Sequence, residues 1–207
     1  MCLIIVQPME SPQIPNYILR NAWAENDDGA GYMFAVDGQL IIRKPFHSFR
    51  AFRRAYRADY AAHGNVAPFI LHFRIATHGK LDKAGTHPHR VNGDLGLAHN
   101  GILSFLHPAK HESDTALFVR AVLAHRSTAD ILSADYLASL EMLIGAGNKL
   151  AFLSATGEIA IVNEEAGFWD NGLWYSNSSA WYRSVAYGQM PYESSADDSF
   201  YAYLNRH

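Results

Sequence analysis

The chain opens on an almost uninterrupted apolar run, Cys2-Leu3-Ile4-Ile5-Val6-Gln7, and then breaks at a proline-rich stretch from Pro8 to Pro15. A short continuous run bounded by breakers predicts a buried strand followed by a loop. Residues 31–36 and 39–44 flank Asp37-Gly38, a dipeptide that favours a type I′ turn, so two antiparallel strands are expected there. Over residues 48–62 the aromatic positions Phe49, Phe52, Tyr56 and Tyr60 recur at helical spacing. Arg50, Arg53, Arg54 and Arg57 then form the solvated face of an amphipathic helix. Residues 69–76 and 94–99 are short and apolar enough to be sheet strands. Helices are predicted over 113–126, with Leu117, Phe118, Ala121 and Val122 on one face, and over 133–144, with Leu137, Leu140 and Ile144. Late strands follow at 150–154, 159–163 and 173–177, the first two joined by Thr156-Gly157. The tyrosine-rich stretch from Tyr187 to His207 has no clear period and reads as a surface cover, an interface segment or a partly disordered tail. Strands, helix, strands, two helices and strands suit an α+β arrangement in which helices cover sheets.

Composition narrows the picture. A length of 207 residues with 49% hydrophobic content fits one packed domain over 1–207, and no linker or internal repeat divides it. The formal net charge of −3 gives no electrostatic reason to expect nucleic acid. The opening apolar run is too short for a membrane span or a signal peptide, so no membrane association is expected. A lone cysteine forms no internal disulfide, which suits a reducing compartment, with the cytoplasm the expected location.

That cysteine occupies position 2, where it becomes the N-terminus if Met1 is removed, as happens before small residues. It would then carry a thiol and an α-amine whose ordinary pKa of about 7.7–8.0 lets it accept the thiol proton near neutrality. One residue would supply both nucleophile and base. A buried cysteine that only fills a core is the competing reading. Three further segments bear on the choice: His72-Phe73-Arg74-Ile75-Ala76-Thr77-His78-Gly79, where an apolar strand delivers a polar cluster; Leu97-Ala98-His99-Asn100-Gly101-Ile102; and Ser113-Asp114-Thr115 at a helix start.

In their order and spacing these segments resemble the class II glutamine amidotransferases, members of the N-terminal-nucleophile hydrolases. That family has an N-terminal Cys, an Arg-x-Ala-Thr-His-Gly segment, a His-Asn-Gly turn after a strand and Ser-Asp-Thr opening a helix. The likeness extends to Thr86-His87-Pro88-His89 and, loosely, to Asp28-Gly29-Ala30-Gly31, so the landmarks run from Cys2 to Thr115. The resemblance implies a four-layer αββα sandwich and makes Cys2 the nucleophile with its amine as base. Asn100 and the Gly101 backbone N–H become the oxyanion hole, Arg74 grips the α-carboxylate of glutamine with Thr77 and His78 nearby, and Asp114 binds the α-ammonium. Each has a plainer reading: Asn-Gly is an ordinary turn, Arg74 a salt-bridge partner, and Asp114 a favourable first-turn acid. Ile75 and Ala116 stand where amino-sugar-forming members usually have Trp and often an acid, so no subfamily follows.

Seven of the eleven histidines, His72, His78, His87, His89, His99, His107 and His111, fall in one stretch. No zinc-ligand spacing accompanies them and His87-Pro88-His89 reads as a loop, so no metal is expected; nor is a nucleotide cofactor, since no Gly-rich phosphate loop is present. The implied partners are glutamine and a separate ammonia-accepting synthetase, since the chain holds no synthetase-sized segment. Rival readings are a γ-glutamyl peptide hydrolase on the same scaffold and a non-catalytic regulatory or interaction domain.

Overall fold

The computed structural model describes residues 2–75, 86–110 and 112–181. Six strands, β1 (Leu3–Gln7), β2 (Ala30–Val36), β3 (Gln39–Phe46), β4 (Phe69–Phe73), β9 (Phe168–Asp170) and β10 (Leu173–Tyr175), form one sheet in the order β3-β2-β4-β1-β10-β9. A second sheet, in the order β5-β6-β7-β8, contains β5 (His89–Arg90), β6 (Leu95–Asn100), β7 (Lys149–Ser154) and β8 (Ile159–Val162). Neighbouring strands are antiparallel throughout.

Alternating side chains of each strand go to different layers. In β1, Leu3 and Ile5 pack with Ile18, Leu19, Phe52 and Tyr56 of α1 (Asn16–Glu25) and α2 (Phe49–His63). Ile4 and Val6 face Ala98, Ala151 and Leu153 of the second sheet. On the far side of that sheet, Leu97, Leu150 and Phe152 pack against Phe118, Ile131 and Leu140. These last belong to α3 (Asp114–Phe118), α4 (Thr128–Ile131) and α5 (Ala134–Ile144). The result is the four-layer αββα sandwich. The sheets approach closely because the second presents small residues inward: a Cβ at Gly96 would lie 2.5 Å from Met33 Sδ. No helix among the described residues is long and apolar enough to cross a membrane.

Asp37 and Gly38 have φ of 51° and 71°, the left-handed pair that a type I′ turn requires, so the β2–β3 hairpin forms as expected. Several features differ from the sequence reading, the short α4 among them. The unforeseen α1 follows directly on Pro15, which provides no side-chain cap, and only its Ile18, Leu19 and Ala22 are buried. The segment around His87-Pro88-His89 is not a plain loop, because His89 begins β5 and pairs with Leu97. β9 was also unforeseen, although Asn171-Gly172 joins it to β10 with φ of 48° and 76°. The predicted helix 113–126 is an α-helical turn running into a π-helical one, Val119–Leu123. Its wider turn rotates the buried face to Thr115, Phe118, Val119 and Leu123 and leaves Ala121 exposed. Residues 187–207 lie outside the described residues.

Candidate active site

Strand register brings the first elements together. Leu3 pairs with Phe73, so Cys2, one residue before β1, and Arg74, one residue after β4, emerge at the same end of the sheet. Cys2 Sγ lies 3.6 Å from the Ile75 carbonyl, to which the thiol donates. Asn177, just past β10, donates from Nδ2 to the Cys2 carbonyl at 2.7 Å. Arg74 is fixed by the Asp28-Gly29 turn: its N–H donates to Gly29 O at 2.8 Å, and its carbonyl accepts from Asp28 N at 3.1 Å. The left-handed φ of 126° at Gly29 is what glycine supplies at that turn.

From the other sheet, β6 delivers Asn100 and then turns at Gly101, whose φ is 140°. A side chain at Gly101 would collide with Asn148 Oδ1, so both conformation and space call for glycine. A cleft of about 300 Å³ is bordered by Cys2, Arg74, Gly101, Asp114, His87 and Thr115. Across the Gly101-Ile102 backbone lies a second cavity of about 290 Å³, bordered by Cys2, Asn100 and Asn148. Five of the seven residues singled out from sequence thus gather around Cys2; Thr77 and His78 lie outside the described residues.

Two charged groups define the larger cleft. The buried Arg74 Nη1 has no hydrogen-bond partner among the described residues, which leaves the guanidinium donor capacity for an anion. Asp114 lies in the first turn of α3, where Ser113 caps the helix by accepting from Ala116 N at 3.1 Å. Its carboxylate accepts from Leu103 N and Thr115 N, each at 2.8 Å. Asp114 therefore ties the loop after Gly101 to the helix, and Oδ2 keeps lone-pair capacity for a cation.

Four histidines pack beneath this cleft, and their protonation follows from their partners. Asn148 Nδ2 donates to Ile144 O at 2.7 Å, which turns Oδ1 toward His99 Nε2 at 2.9 Å. His99 therefore carries its proton on Nε2, and Nδ1 accepts from Thr115 Oγ1 at 2.8 Å. Likewise His72 Nε2 faces the His99 carbonyl at 3.1 Å and must be protonated, so His87 Nδ1, 2.8 Å away, is an acceptor. Burial holds all four neutral: His72 and His89 fall to about 3, and His87 and His99 are also lowered. No group of three or more His, Cys, Asp or Glu side chains among the described residues is arranged to hold a metal ion. The sequence reading did not single out the packing of His87, His99 and Asn148, nor Ser176 and Asn177. Their contacts join segments remote in the chain; His87 and His99 each lie in a segment noted above, whereas Asn148, Ser176 and Asn177 lie in none.

Burial pushes the Cys2 thiol above its ordinary value, while the positive charge of Arg74 pulls the other way. Such a thiol calls for a base close at hand. The arrangement offers a thiol, a cation and an anion at one cleft and a carboxamide bordering a cavity that the thiol residue shares, groups suited to acyl transfer from a zwitterionic substrate.

Fold and site together define a class: this is a four-layer αββα domain similar to the class II glutamine amidotransferases. The glutamine–fructose-6-phosphate aminotransferase (isomerizing) of Shewanella oneidensis is 28% identical over 130 residues, covering 58% of this chain and 21% of that protein. The solved glutamine phosphoribosylpyrophosphate amidotransferase from B. subtilis superposes with a TM-score of 0.52 at 24% identity, over 87% of this chain and 43% of that one. A structure described as the allosteric regulatory enzyme of purine biosynthesis gives 0.53 at 20% identity, over 87% and 43%. The chain therefore spans about a fifth of the curated relative and under half of either solved chain. No family model matches it.

Proposed function

We propose that this domain hydrolyses the side-chain amide of glutamine. Cys2, freed by removal of Met1, gives its thiol proton to its own α-amine, and the sulfur attacks the amide carbon. The oxygen of the tetrahedral intermediate is stabilised by Asn100 Nδ2 and the Gly101 N–H; losing one such donor typically costs about 3–4 kcal/mol of barrier. The amine returns the proton to the leaving nitrogen, ammonia departs, and a γ-glutamyl thioester remains. Water then adds to the thioester, releasing glutamate and restoring the thiol. Arg74 takes the α-carboxylate through its planar fork and Asp114 the α-ammonium, with Thr77 and His78 assigned to the head group. The scheme needs neither metal nor nucleotide cofactor, and the ammonia passes to an acceptor synthetase.

The observation that carries this reading is that Cys2, Arg74, Gly101 and Asp114 border one cleft, with the buried Arg74 Nη1 unpartnered among the described residues. A head group clamped at both charges fixes how far the amide can reach, and asparagine, one methylene shorter, stops short of the sulfur. Ammonia release from purified protein should therefore be fast with glutamine and slow with asparagine. Comparable turnover of both overturns the clamp, and faster turnover of γ-glutamyl peptides would reassign the substrate to that class.

A further inference from the structure

Ser176 lies just past β10, is fully buried, and faces Ile4 across the strand pair. Its backbone N–H donates to Ile4 O at 3.0 Å, as in an ordinary antiparallel ladder. The return bond is different: Ile4 N donates to the Ser176 hydroxyl oxygen at 2.9 Å. That same oxygen accepts from Asn100 Nδ2 at 2.8 Å. Asn100 belongs to the other sheet and is itself buried, so one hydroxyl joins the two sheets next to the nucleophile. A carbonyl would serve Ile4 as well; the side-chain oxygen reaches Asn100 too.

We propose that Ser176 is a positioning residue that fixes the Asn100 carboxamide relative to the strand carrying Cys2. This rests on the reading of Asn100 as an oxyanion donor. The carboxamide can turn about its last torsion, and its Oδ1 has no partner among the described residues to hold it. Ser176 Oγ engages one Nδ2 proton and leaves the other for the developing oxyanion. The neighbouring Asn177 holds the Cys2 carbonyl, so two consecutive residues set the spacing between nucleophile and donor. Donors act on a barrier only when they are already aimed at the place where charge develops, so loosening the amide costs rate rather than substrate affinity.

A double-mutant cycle on the full chain tests this, with kcat for glutamine expressed per Cys2 labelled by a glutamine-like electrophile. Ser176→Ala should lower kcat by about ten- to a hundredfold with KM little changed. On an Asn100→Ala background the same change should alter kcat by less than about twofold, because the donor it orients is already gone. Ser176→Cys, which keeps a weaker acceptor, should recover part of the loss, and it carries the same cycle if Ser176→Ala fails to fold. Wild-type kcat in Ser176→Ala, or an equal loss on both backgrounds, overturns the positioning role. Wild-type kcat in Asn100→Ala instead overturns the oxyanion reading on which it rests.

Discussion

Asp114 is engaged twice over by the protein before any ligand arrives, through Leu103 N and Thr115 N, so its removal is not a pure test of binding. Asp114→Ala should raise KM for glutamine and also loosen the loop after Gly101, at about 1–2 kcal/mol of stability for the lost charge-assisted bonds. Asn100→Ala should leave KM nearly unchanged and cut kcat by about 10²–10³-fold. Steady-state kinetics combined with thermal unfolding separate the two. If both substitutions weaken binding equally and spare kcat, the division of roles is wrong. Where these residues sit was legible in the sequence, Gly101 at its Asn-Gly turn, Asp114 at its helix start and Arg74 at the end of its strand, while their roles are what the ordered motifs imply. Ser176 was not, because nothing in Tyr175-Ser176-Asn177 announces that its hydroxyl meets a residue 76 positions earlier across the sheets.

Elements with both faces buried hide their period, which is why β1 and β7 read simply as apolar runs and their alternation emerges only from the layers they serve. Conversely, α1 buries a narrow stripe and lacks both a side-chain cap and a first-turn acid, so it carried little helical signal. The π-turn after α3 shifts a face that a fixed 3.6-residue period puts elsewhere. Where β4, β5 and β6 meet, the four neutral histidines make stability depend on pH. The unfolded chain protonates them near the ordinary value of 6.5, whereas His72 and His89 resist protonation down to about 3 when folded. Their contribution is thus complete above about pH 6.5 and is lost as pH falls toward 3, at up to about 1.4 kcal/mol per pH unit for each histidine. Denaturant unfolding at pH 7, 6 and 5 should show stability dropping steeply on this acid side. A flat profile would mean that these rings are not buried in the neutral form.

Across the molecule, the sandwich places Cys2 at the end of an interior strand. β1 lies between β4 and β10 inside the six-stranded sheet, and Cys2 leads out of it directly into the cleft shared with Arg74 and Asp114. Hydrophobic pattern alone supported only helices covering sheets; the four layers were anticipated from the ordered motifs, since how strands divide between two sheets depends on pairings remote in sequence. This placement sharpens the test of mechanism. An uncleaved extension before Cys2 turns the α-amine into an amide, which removes the base while the thiol stays in place. Burial already holds that thiol above its ordinary pKa, so without the amine little thiolate forms near neutrality. Intact mass of active protein should therefore show that Met1 is missing. A variant with an uncleavable extension should fold, keep its thermal unfolding close to that of the processed protein, and release no ammonia from glutamine. Cys2→Ala should fold and be equally inactive. Full activity in folded protein shown by mass to retain residues before Cys2 would rule out the N-terminal amine as the base.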